Sequence, residues 1–434
     1  MSEQKWSDIK LKYVAEINPS KSEISTIDDT EVTFLPMENI LAPGNVDLSL
    51  KKLLKDVYNG YTYFKENDLI VAKVTPCFEN GNIAIVQGLF NEIGFGTTEL
   101  YVVRVDKEKY NNKFFYYALQ SDDFKKKAVS NMYGVGGLKR IPLEFMRNYK
   151  FKVPQIQVQN KVVEFLDHKI ESIQHLICDK ERFITLLEEK RQSMITEAIT
   201  KGLNRNVKTK NSSVEWIGEI PEHWNVQKIK NLAEIHSSNI DKKSVKGEIE
   251  ILLCNYVDVY YNDAITKSIE FMKATAKCEQ IEKFTLKHND VIITRDSESP
   301  NDIAVPAWVA EDLNGILCGY HLALIRAKSN KLNGHYLYYA LESRPIREQF
   351  YSKANGVTRF GLPKEAIKNG IIPCPPLNEQ KEIADYLYQM NQEIKLIILE
   401  MKAQIEKLKE YRQSLICEVV TGKIDVRDFQ VVSK

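Results

Sequence analysis

The chain has 434 residues, which is too long for one ordinary hydrophobic core, so we expect two to four domains. Hydrophobic residues make up 43% and charged residues 27%, with 19 Gly and 14 Pro, and this composition excludes a disordered or fibrous chain. Lys and Arg number 60 against 59 Asp and Glu, which gives a formal net charge of +1. That balance excludes a global basic field, so any binding of nucleic acid must use local patches.

The first residues, MSEQKWSDIKLKY, contain no apolar region of the kind found in signal peptides. No uncharged apolar run approaches the roughly 18 residues that a membrane span requires. Seven scattered cysteines without C-x-x-C spacing are typical of reduced thiols in a cytosolic protein. We therefore expect a cytoplasmic protein that does not bind a membrane.

The first part of the chain has mixed strand and helix character. Apolar, β-branched runs predict strands over residues 69–74, 83–88 and 99–105. Short amphipathic helices are predicted over 112–129. From Leu166 to Ala198 the seam residues then step by four and three, which is the 3.5-residue repeat of a coiled coil.

The second part of the chain repeats the first. WSDIKLKYVAEI begins at Trp6 and WNVQKIKNLAEI begins at Trp224, and later anchors keep an offset of about 220 residues. These anchors pair Asn67–Ile70 with Asn289–Ile292, Tyr116–Leu119 with Tyr338–Leu341, Gly134-Val135 with Gly356-Val357, and Arg191–Ser193 with Arg412–Ser414. Predicted strands over 290–295, 303–310 and 321–327, short helices over 333–350 and a second seam follow in the same order. The sequence therefore predicts one duplicated α+β unit.

The two seams predict an antiparallel coiled coil. A single apolar stripe is more often a helix that lies on its own domain, but two matched seams in one chain supply partners for each other. A parallel pair is disfavoured because the first helix leads directly into the second mixed part. We expect an internal pseudo-two-fold repeat, with a seam formed by Leu166, Ile170, Ile173, Ile177, Ile184, Leu187, Leu387, Ile394, Ile398, Met401, Ile405 and Leu408.

Motifs of catalysis are missing from the sequence. It contains no P-loop, no H-E-x-x-H, no G-x-S-x-G and no Cys/His cluster. Asn18-Pro19-Ser20 and Cys374-Pro375-Pro376 fall short of the box with which amino-methyltransferases hold their target base. We therefore expect no catalytic, cofactor-binding or metal-binding residues in this chain.

Three segments carry a resemblance to a known family. They are VEWIGEIPEHW from Val214 to Trp224, PPLNEQKEIA over 375–384, and Arg412–Ile416 followed by Thr421–Ile424. Together with the duplicated order of mixed domain and helix, they resemble the specificity subunit of Type I restriction-modification systems. The first copy departs from this pattern, because it lacks the Gly-Glu-Ile-Pro opening and has QIQVQ over 155–159 where the second copy has PLNEQ over 376–380.

The resemblance implies a division of the chain into recognition domains and helical spacers. Residues 1–152 and 206–373 would be two target-recognition domains, 153–205 and 374–425 the conserved helical spacers, and 426–434 a C-terminal tail. In the family, each recognition domain reads one half of a bipartite, asymmetric target in double-stranded DNA. The helices set the spacing and dock two modification subunits, and restriction subunits join them. S-adenosylmethionine, ATP and Mg would be held only by those partner subunits, so the chain itself would be a non-catalytic recognition subunit.

Two loops in each copy have the composition needed to contact DNA. Base readout uses Arg, Lys, Asn, Gln, Ser or Thr at loop tips, with neighbouring cations on phosphates. The first loop follows a predicted strand and the second precedes a proline. They supply the candidate DNA-binding residues Lys73, Thr75, Lys139, Arg140, Arg295, Ser297, Thr358 and Arg359. The paired tyrosines at 116, 117, 338 and 339 sit at helical spacing, which favours core packing over base stacking.

Two other functions remain open from the residues alone. The chain could be a coiled-coil scaffold whose end domains bind proteins. The net charge near zero supports this interpretation. It could also be a self-contained DNA methyltransferase. Substitution of Arg359 would separate the DNA reader from the scaffold, and methyl transfer by the isolated chain would support the methyltransferase.

Overall fold

The computed structural model describes residues 6–24, 29–41, 44–135, 137–356 and 358–430. Val357, one of the repeat anchors, lies outside these residues. The chain forms two compact units. Unit 1 comprises the described residues up to Glu181 and those from Lys402 onward, and unit 2 comprises Arg182–Met401. The five segments expected from the sequence divide the chain in a different way from these two units, and their boundaries stay predictions.

Unit 1 is built from short strands and short helices followed by the first part of a long helix. Its strands are β1 (Ser7–Lys10), β2 (Ala15–Ile17), β3 (Glu31–Leu35), β4 (Ile40–Leu41), β5 (Asn45–Val46), β6 (Lys51–Leu53), β7 (Thr62–Lys65), β8 (Leu69–Ala72), β9 (Ile83–Ile85), β10 (Ile93–Gly96), β11 (Leu100–Val105), β12 (Tyr133–Val135), β13 (Leu138–Arg140) and β14 (Lys150–Val153). Its helices are α1 (Leu54–Val57), α2 (Asn112–Gln120), α3 (Asp122–Ser130), α4 (Leu143–Asn148) and the long α5 (Ile156–Lys201), which continues into unit 2.

Two sheets form the core of unit 1. One has the strand order β2-β11-β8-β9 with antiparallel neighbours throughout. The other has the order β6-β3-β10-β7, in which only the β3–β10 pair is parallel. Strand β8 is buried along its whole length, as its uninterrupted apolar sequence Leu-Ile-Val-Ala predicts. Smaller antiparallel pairs join β1 to β14, β4 to β5 and β12 to β13.

Unit 2 has the same kinds of element in the same order. Its strands are β15 (Thr209–Asn211), β16 (Glu219–Pro221), β17 (Asn225–Lys228), β18 (Ala233–Ser237), β19 (Ile249–Cys254), β20 (Ala264–Ile265), β21 (Met272–Ala276), β22 (Thr285–Leu286), β23 (Asp290–Thr294), β24 (Asp296–Ser297), β25 (Pro306–Val309), β26 (Leu313–Cys318), β27 (Leu322–Ala327), β28 (Phe360–Gly361) and β29 (Ile371–Cys374). Its helices are α6 (Ile229–Leu232), α7 (Tyr256–Tyr260), α8 (Cys278–Phe284), α9 (Gly334–Glu342), α10 (Arg344–Tyr351), α11 (Lys364–Lys368) and the long α12 (Leu377–Val420), which ends in unit 1.

The sheets of unit 2 repeat those of unit 1. The order β18-β27-β23-β25-β20 matches β2-β11-β8-β9 with one strand added at the edge. The order β21-β19-β26-β22 matches β6-β3-β10-β7, and its central pair β19–β26 is again the parallel one. Strands β17 and β29 pair as β1 and β14 do. The predicted duplication of an α+β unit is therefore confirmed by the two main sheets and by the β1–β14 and β17–β29 pairs.

A repeated Asn-Asp turn explains one of the sequence anchors. Asn67 and Asn289 adopt left-handed backbone conformations, with φ of 67° and 69°, which Asn tolerates better than most residues. The buried carboxylates of Asp68 and Asp290 accept hydrogen bonds from backbone N–H groups at the turn. Each also pairs with an arginine of the neighbouring strand, Arg104 or Arg326. Both charges of the pair are needed, because an unpaired buried carboxylate is costly.

The long helices begin at corresponding residues, Ile156 and Leu377, despite the different sequences there. The first turns carry a buried glutamine in both copies. Gln159 accepts a hydrogen bond from the Asn111 backbone N–H at 2.8 Å and donates to the Pro154 carbonyl at 2.8 Å. Gln380 makes the same two bonds with Asn333 and Pro375. This shared glutamine fixes each helix against its domain.

Each unit contains an antiparallel pair of long-helix segments. In unit 1, Lys180 of α5 donates to Gln404 at 2.6 Å, and Arg412 of α12 donates to Gln174 at 3.1 Å. Residue numbers thus rise along one helix as they fall along the other. In unit 2, Arg191 donates to Asn391 at 3.1 Å. The predicted antiparallel pairing is confirmed, and the twelve predicted seam residues are all buried or half-buried.

The short helical patterns each divide into two helices. Helix α2 ends and α3 begins at Ser121, and α9 and α10 meet at Ser343 in the same way. Both serines have extended backbone conformations and donate their hydroxyls to the carbonyl three residues earlier at 2.7 Å. A serine side chain can satisfy backbone groups at such a break, which an unbroken apolar pattern does not reveal. Within the described residues, no helix has both the length and the apolarity required to span a bilayer.

Candidate nucleic-acid interface

In unit 1 the two loops predicted to bind DNA lie together. The backbone N–H of Thr75 donates to the Lys139 carbonyl at 2.9 Å, and the N–H of Ile141 donates to the Lys73 carbonyl at 2.8 Å. The Thr75 hydroxyl donates to the Gly137 carbonyl at 2.8 Å and accepts from the Lys139 N–H at 2.9 Å. The loop after β8 and the hairpin β12–β13 therefore form one surface, which we call edge 1 and which contains Lys73, Thr75, Lys139 and Arg140.

The charged side chains of edge 1 differ in their partners and in their exposure. The Arg140 guanidinium makes two hydrogen bonds to the Glu99 carboxylate, at 2.9 and 2.7 Å, and holds the pKa of that carboxyl below its usual range. Lys73 lies 5.5 Å from the centre of the Tyr101 ring, and burial raises the pKa of Tyr101 to about 12. Lys139 is exposed. Glu99 was not predicted as a partner of Arg140, because the two residues lie 41 positions apart along the chain.

In unit 2 the corresponding loops also meet. Strand β24 pairs with β28, so that Ser297 lies opposite Phe360, and the N–H of Leu362 donates to the Arg295 carbonyl at 2.8 Å. This surface, edge 2, contains Arg295, Ser297, Thr358 and Arg359. Gly356 has a φ of 147°, and a Cβ there would lie 1.9 Å from the Arg359 carbonyl oxygen. Gly134 of edge 1 shows the same close approach to the Leu138 carbonyl, which explains why both copies carry glycine at this anchor.

A cluster of polar side chains surrounds Arg359. Its Nη2 atom lies 3.2 Å from both ring nitrogens of His321, and His321 Nδ1 lies 2.8 Å from the Asp296 carboxylate. Asp296 also pairs with Arg295, whose guanidinium lies 5.8 Å from the ring of the exposed Tyr320. His321 occupies the position before β27 that Glu99 occupies before β11. The two edges share a scaffold and differ in chemistry at corresponding positions.

A lysine-rich loop borders edge 2 and was missed in the sequence. The backbone N–H of Tyr320 donates to the Ile240 carbonyl at 2.9 Å, which ties the loop after β18 to the cluster. Lys242, Lys243 and Lys246 follow in this loop and are exposed. Three cations in five residues are suited to phosphate contacts. These lysines were not predicted as a site, because a net charge of +1 for the whole chain gives no information about a local group of lysines.

A cleft of about 570 Å³ lies within unit 1 between α2 and the long helices. Its wall includes an ion pair between Lys113 and Asp167 at 2.7 Å, and Asp167 also accepts a hydrogen bond from Tyr117 at 2.6 Å. Tyr117 itself is 5% exposed, in line with core packing, whereas Tyr116 is half-buried and lines the cleft. The long helices contribute Asp167, Ile170, Glu171, Gln174, His175, Arg412 and Ile416.

Unit 2 contains a cleft of about 240 Å³ in the corresponding place. Asp263 pairs with Lys395 and accepts a hydrogen bond from Asn391 at 3.1 Å. His335 stacks on Trp308 with ring centres 3.9 Å apart, and burial lowers the pKa of His335 to about 4. Tyr338 and Tyr339 are buried, as the core-packing interpretation predicts. Helix α12 contributes Tyr388, Asn391, Gln392 and Lys395, which are the repeat equivalents of Asp167, Ile170, Glu171 and Gln174.

Metal coordination has no support in the described residues, where no group of three or more His, Cys, Asp or Glu side chains could hold an ion. The two edges and the two clefts are the candidate sites. Both occur twice on one duplicated scaffold. This arrangement defines a class of protein with two tandem recognition units that share an antiparallel pair of long helices.

Comparison with known proteins gives the family. The family described as the Type I restriction modification DNA specificity domain matches residues 3–177 and 221–407. The chain therefore belongs to this family, and the match covers both copies of the repeat.

Two curated relatives from Escherichia coli are similar to part of the chain. The EcoAI specificity subunit is 41% identical over 160 residues, which are 36% of this chain and 27% of that protein. The EcoEI specificity subunit is 38% identical over 160 residues, which are 36% of this chain and 26% of that protein. The chain thus aligns with only about a quarter of the length of these relatives.

One solved structure is similar over nearly the whole chain. It is described as "Structural basis underlying complex assembly and conformational transition of the type I R-M system". The superposition has a TM-score of 0.76 at 15% identity and covers 97% of this chain and 98% of that one. At this identity the likeness establishes the fold alone.

Proposed function

We propose that the chain is the DNA-recognition subunit of a Type I restriction-modification enzyme, acting in the cytoplasm. Each unit reads one half of a bipartite, asymmetric target in double-stranded DNA. One observation carries the proposal: edge 1 and edge 2 occupy the same place on duplicated scaffolds but present different side chains. Two copies of one scaffold with unlike edges are suited to unlike half-sites.

The chemistry of the edges supports this function. Arg359 is exposed beside its histidine, and an arginine at a loop tip is the commonest specific reader of guanine in the major groove. The exposed lysines of the loop at 242–246 would contact phosphates beside that arginine. Phosphate contacts supply affinity, and base contacts supply the choice of sequence. The lysine loop would therefore supply affinity, and Arg359 would supply the choice of base.

The long helices and the clefts are proposed to serve assembly. The two clefts lie at the same positions of the repeat, and we assign one partner subunit to each. Two modification subunits would bind in this way, and restriction subunits would join the complex. S-adenosylmethionine, ATP and Mg would be bound by those subunits, and this chain would contribute recognition without catalysis.

Substitution of Arg359 tests the proposal. The chain is co-expressed with its modification subunits, and the complex is titrated with duplexes that carry the methylated sequence mapped in the host genome. Arg359→Ala is expected to weaken binding by about 1–3 kcal/mol and to relax the choice of base at one position of one half-site. Arg344→Ala removes the same charge from the exposed face of α10 in the same unit and is expected to leave binding unchanged.

The alternatives are separated by the same complex. A scaffold without DNA affinity predicts that the wild-type complex does not distinguish the mapped duplex from a scrambled one. A self-contained methyltransferase predicts methyl transfer by the purified chain alone. Either result would overturn the proposal.

A further inference from the structure

The hairpin β12–β13 of edge 1 exposes apolar side chains to an unusual degree. Val135 is 89% exposed, Tyr133 is 66% exposed and Leu138 is 52% exposed. Single exposed apolar residues are ordinary, but three on one short hairpin form a patch that a soluble surface rarely keeps without use. They contribute nothing to the core of unit 1, whose buried residues lie elsewhere.

The hairpin is held firmly at its base. Arg140 bridges to Val74 through the backbone and to Glu99 through two side-chain hydrogen bonds. The Thr75 hydroxyl anchors the turn through the Gly137 carbonyl and the Lys139 N–H. Gly134 lets the two strands approach closely because it has no Cβ. The result is a thin two-stranded ribbon, and the major groove of B-DNA admits a ribbon of this kind.

The charges around the tip favour DNA as the occupant. Lys139 is exposed on the hairpin, and Lys73 lies on the adjoining loop. Among the described residues of the hairpin, no side chain is acidic, and the nearby Glu99 is neutralised by Arg140. An apolar tip flanked by cations complements a groove whose walls are phosphates.

The tip can recognise only one feature of a base edge. Between Gly134 and Leu138, the described side chains offer no hydrogen-bond donor or acceptor. The only apolar mark in the major groove is the C5-methyl group of thymine. Edge 2 has Thr358 and Arg359 in the corresponding loop, so it presents hydrogen-bonding groups instead.

We propose that Val135 and Leu138 contact thymine methyl groups, so that the half-site read by unit 1 is specified partly by thymine. This inference rests on the proposed function and gives the base that edge 1 selects. It also assigns edge 1 a mode of recognition different from that of Arg359 on edge 2.

The test removes methyl groups from both sides of the contact. In the mapped duplex, each thymine of both half-sites is replaced singly by deoxyuridine, which lacks only the C5-methyl group. We expect one or two positions in a single half-site at which wild-type affinity falls about 3- to 10-fold, as loss of a buried methyl group predicts. Val135→Ala is expected to cost a similar factor on the thymine duplex and nothing further on the deoxyuridine duplex.

Matched controls make the result specific. Val129→Ala removes the same two methyl groups from an exposed position on α3 and is expected to have no effect. The inference is overturned if the wild-type complex selects its target but ignores every deoxyuridine, or if the losses from variant and base add independently. Failure of the wild-type complex to select the target would instead overturn the proposed function. The deoxyuridine series needs only the wild-type complex, so it can overturn the inference even if Val135→Ala does not fold, and Leu138→Ala then assigns the contact to the hairpin.

Discussion

Arg140 and Arg359 place the same charge on the two edges, but their neighbours give them different freedom. Two hydrogen bonds fix Arg140 to Glu99, so its guanidinium also holds the hairpin. Arg359 lies beside the His321 ring instead of a carboxylate, and its side chain is exposed. The two arginines thus differ in one partner, Glu99 for Arg140 and His321 for Arg359, and both stay candidate DNA contacts.

His335 gives a prediction about pH and stability. Its ring is 9% exposed and stacks on Trp308, and burial lowers its pKa to about 4. In the unfolded chain the imidazole has its ordinary pKa near 6.5, so between these two values the unfolded state binds a proton that the folded state does not. Above pH 6.5, protonation of His335 should not reduce the free energy of unfolding of unit 2. As the pH falls from 6.5 towards 4, this free energy should decrease by up to about 3 kcal/mol.

Urea unfolding at several pH values measures this effect. His335→Phe keeps an aromatic ring against Trp308 but cannot titrate, so the variant should show a smaller loss of stability than the wild type over this range. Equal losses in the two proteins would contradict the prediction. If the variant does not fold, the pH-dependent part of the tryptophan fluorescence that Trp308→Phe removes reports protonation of the stacked ring in the native protein.

Side-chain partners were the least predictable part of the candidate site. The loops that carry Arg140 and Arg359 were found from the sequence, because strand ends and glycines indicate them locally. Glu99 and His321 were not found, because each meets its arginine only after the sheets form. Their sequence neighbours read as ordinary strand residues, and pairing across the fold leaves no local pattern.

At the scale of elements, the regular patterns were predictive. The buried strand β8 is a continuous apolar run, its counterpart β23 has Val-Ile-Ile at its centre, and the seam of each long helix keeps one spacing over many turns. The breaks at Ser121 and Ser343 were not predicted, because one serine hydroxyl ends a helix without interrupting the apolar face. Long, periodic segments can thus be predicted from the sequence, whereas helix ends set by a single residue cannot.

The two clefts give a prediction about assembly. Glu171 lines the cleft of unit 1 and Gln392 the corresponding position of unit 2. If each cleft holds one modification subunit, Glu171→Arg and Gln392→Arg should each remove one such subunit, because a long cation is placed in the contact. The double variant should remove both. Native mass spectrometry of the co-expressed complex counts the subunits.

A neighbouring residue supplies the control for this assembly experiment. Glu393→Arg introduces the same side chain on an exposed position of α12 that does not line the cleft. It should leave two modification subunits bound. Unchanged stoichiometry in the double variant would rule out the clefts as the docking sites.

At the scale of the whole molecule, helices α5 and α12 each contribute to both units. If they set the gap between half-sites, a heptad added after Glu181 and another after Met401 should lengthen both helices in register. Seven residues add about 10 Å of helix, which corresponds to about 3 base pairs. Methylation mapping should show the same half-site bases with a wider gap. Altered bases with the original gap would contradict the spacing role.

Because the two units share the long helices, a half-length polypeptide would lack part of its core. Ile195, Ala198 and Ile199, at the end of α5, are buried in unit 2, and their repeat equivalents Ile416, Val419 and Val420 are buried in unit 1. A polypeptide that carries only the first domain and α5 would lack Ile416, Val419 and Val420. It would also expose Ile195, Ala198 and Ile199, because unit 2 would be absent. Two such half-length molecules could complete each other by exchanging helix ends, as in a domain-swapped homodimer. Their combined recognition sequence would then be a palindrome.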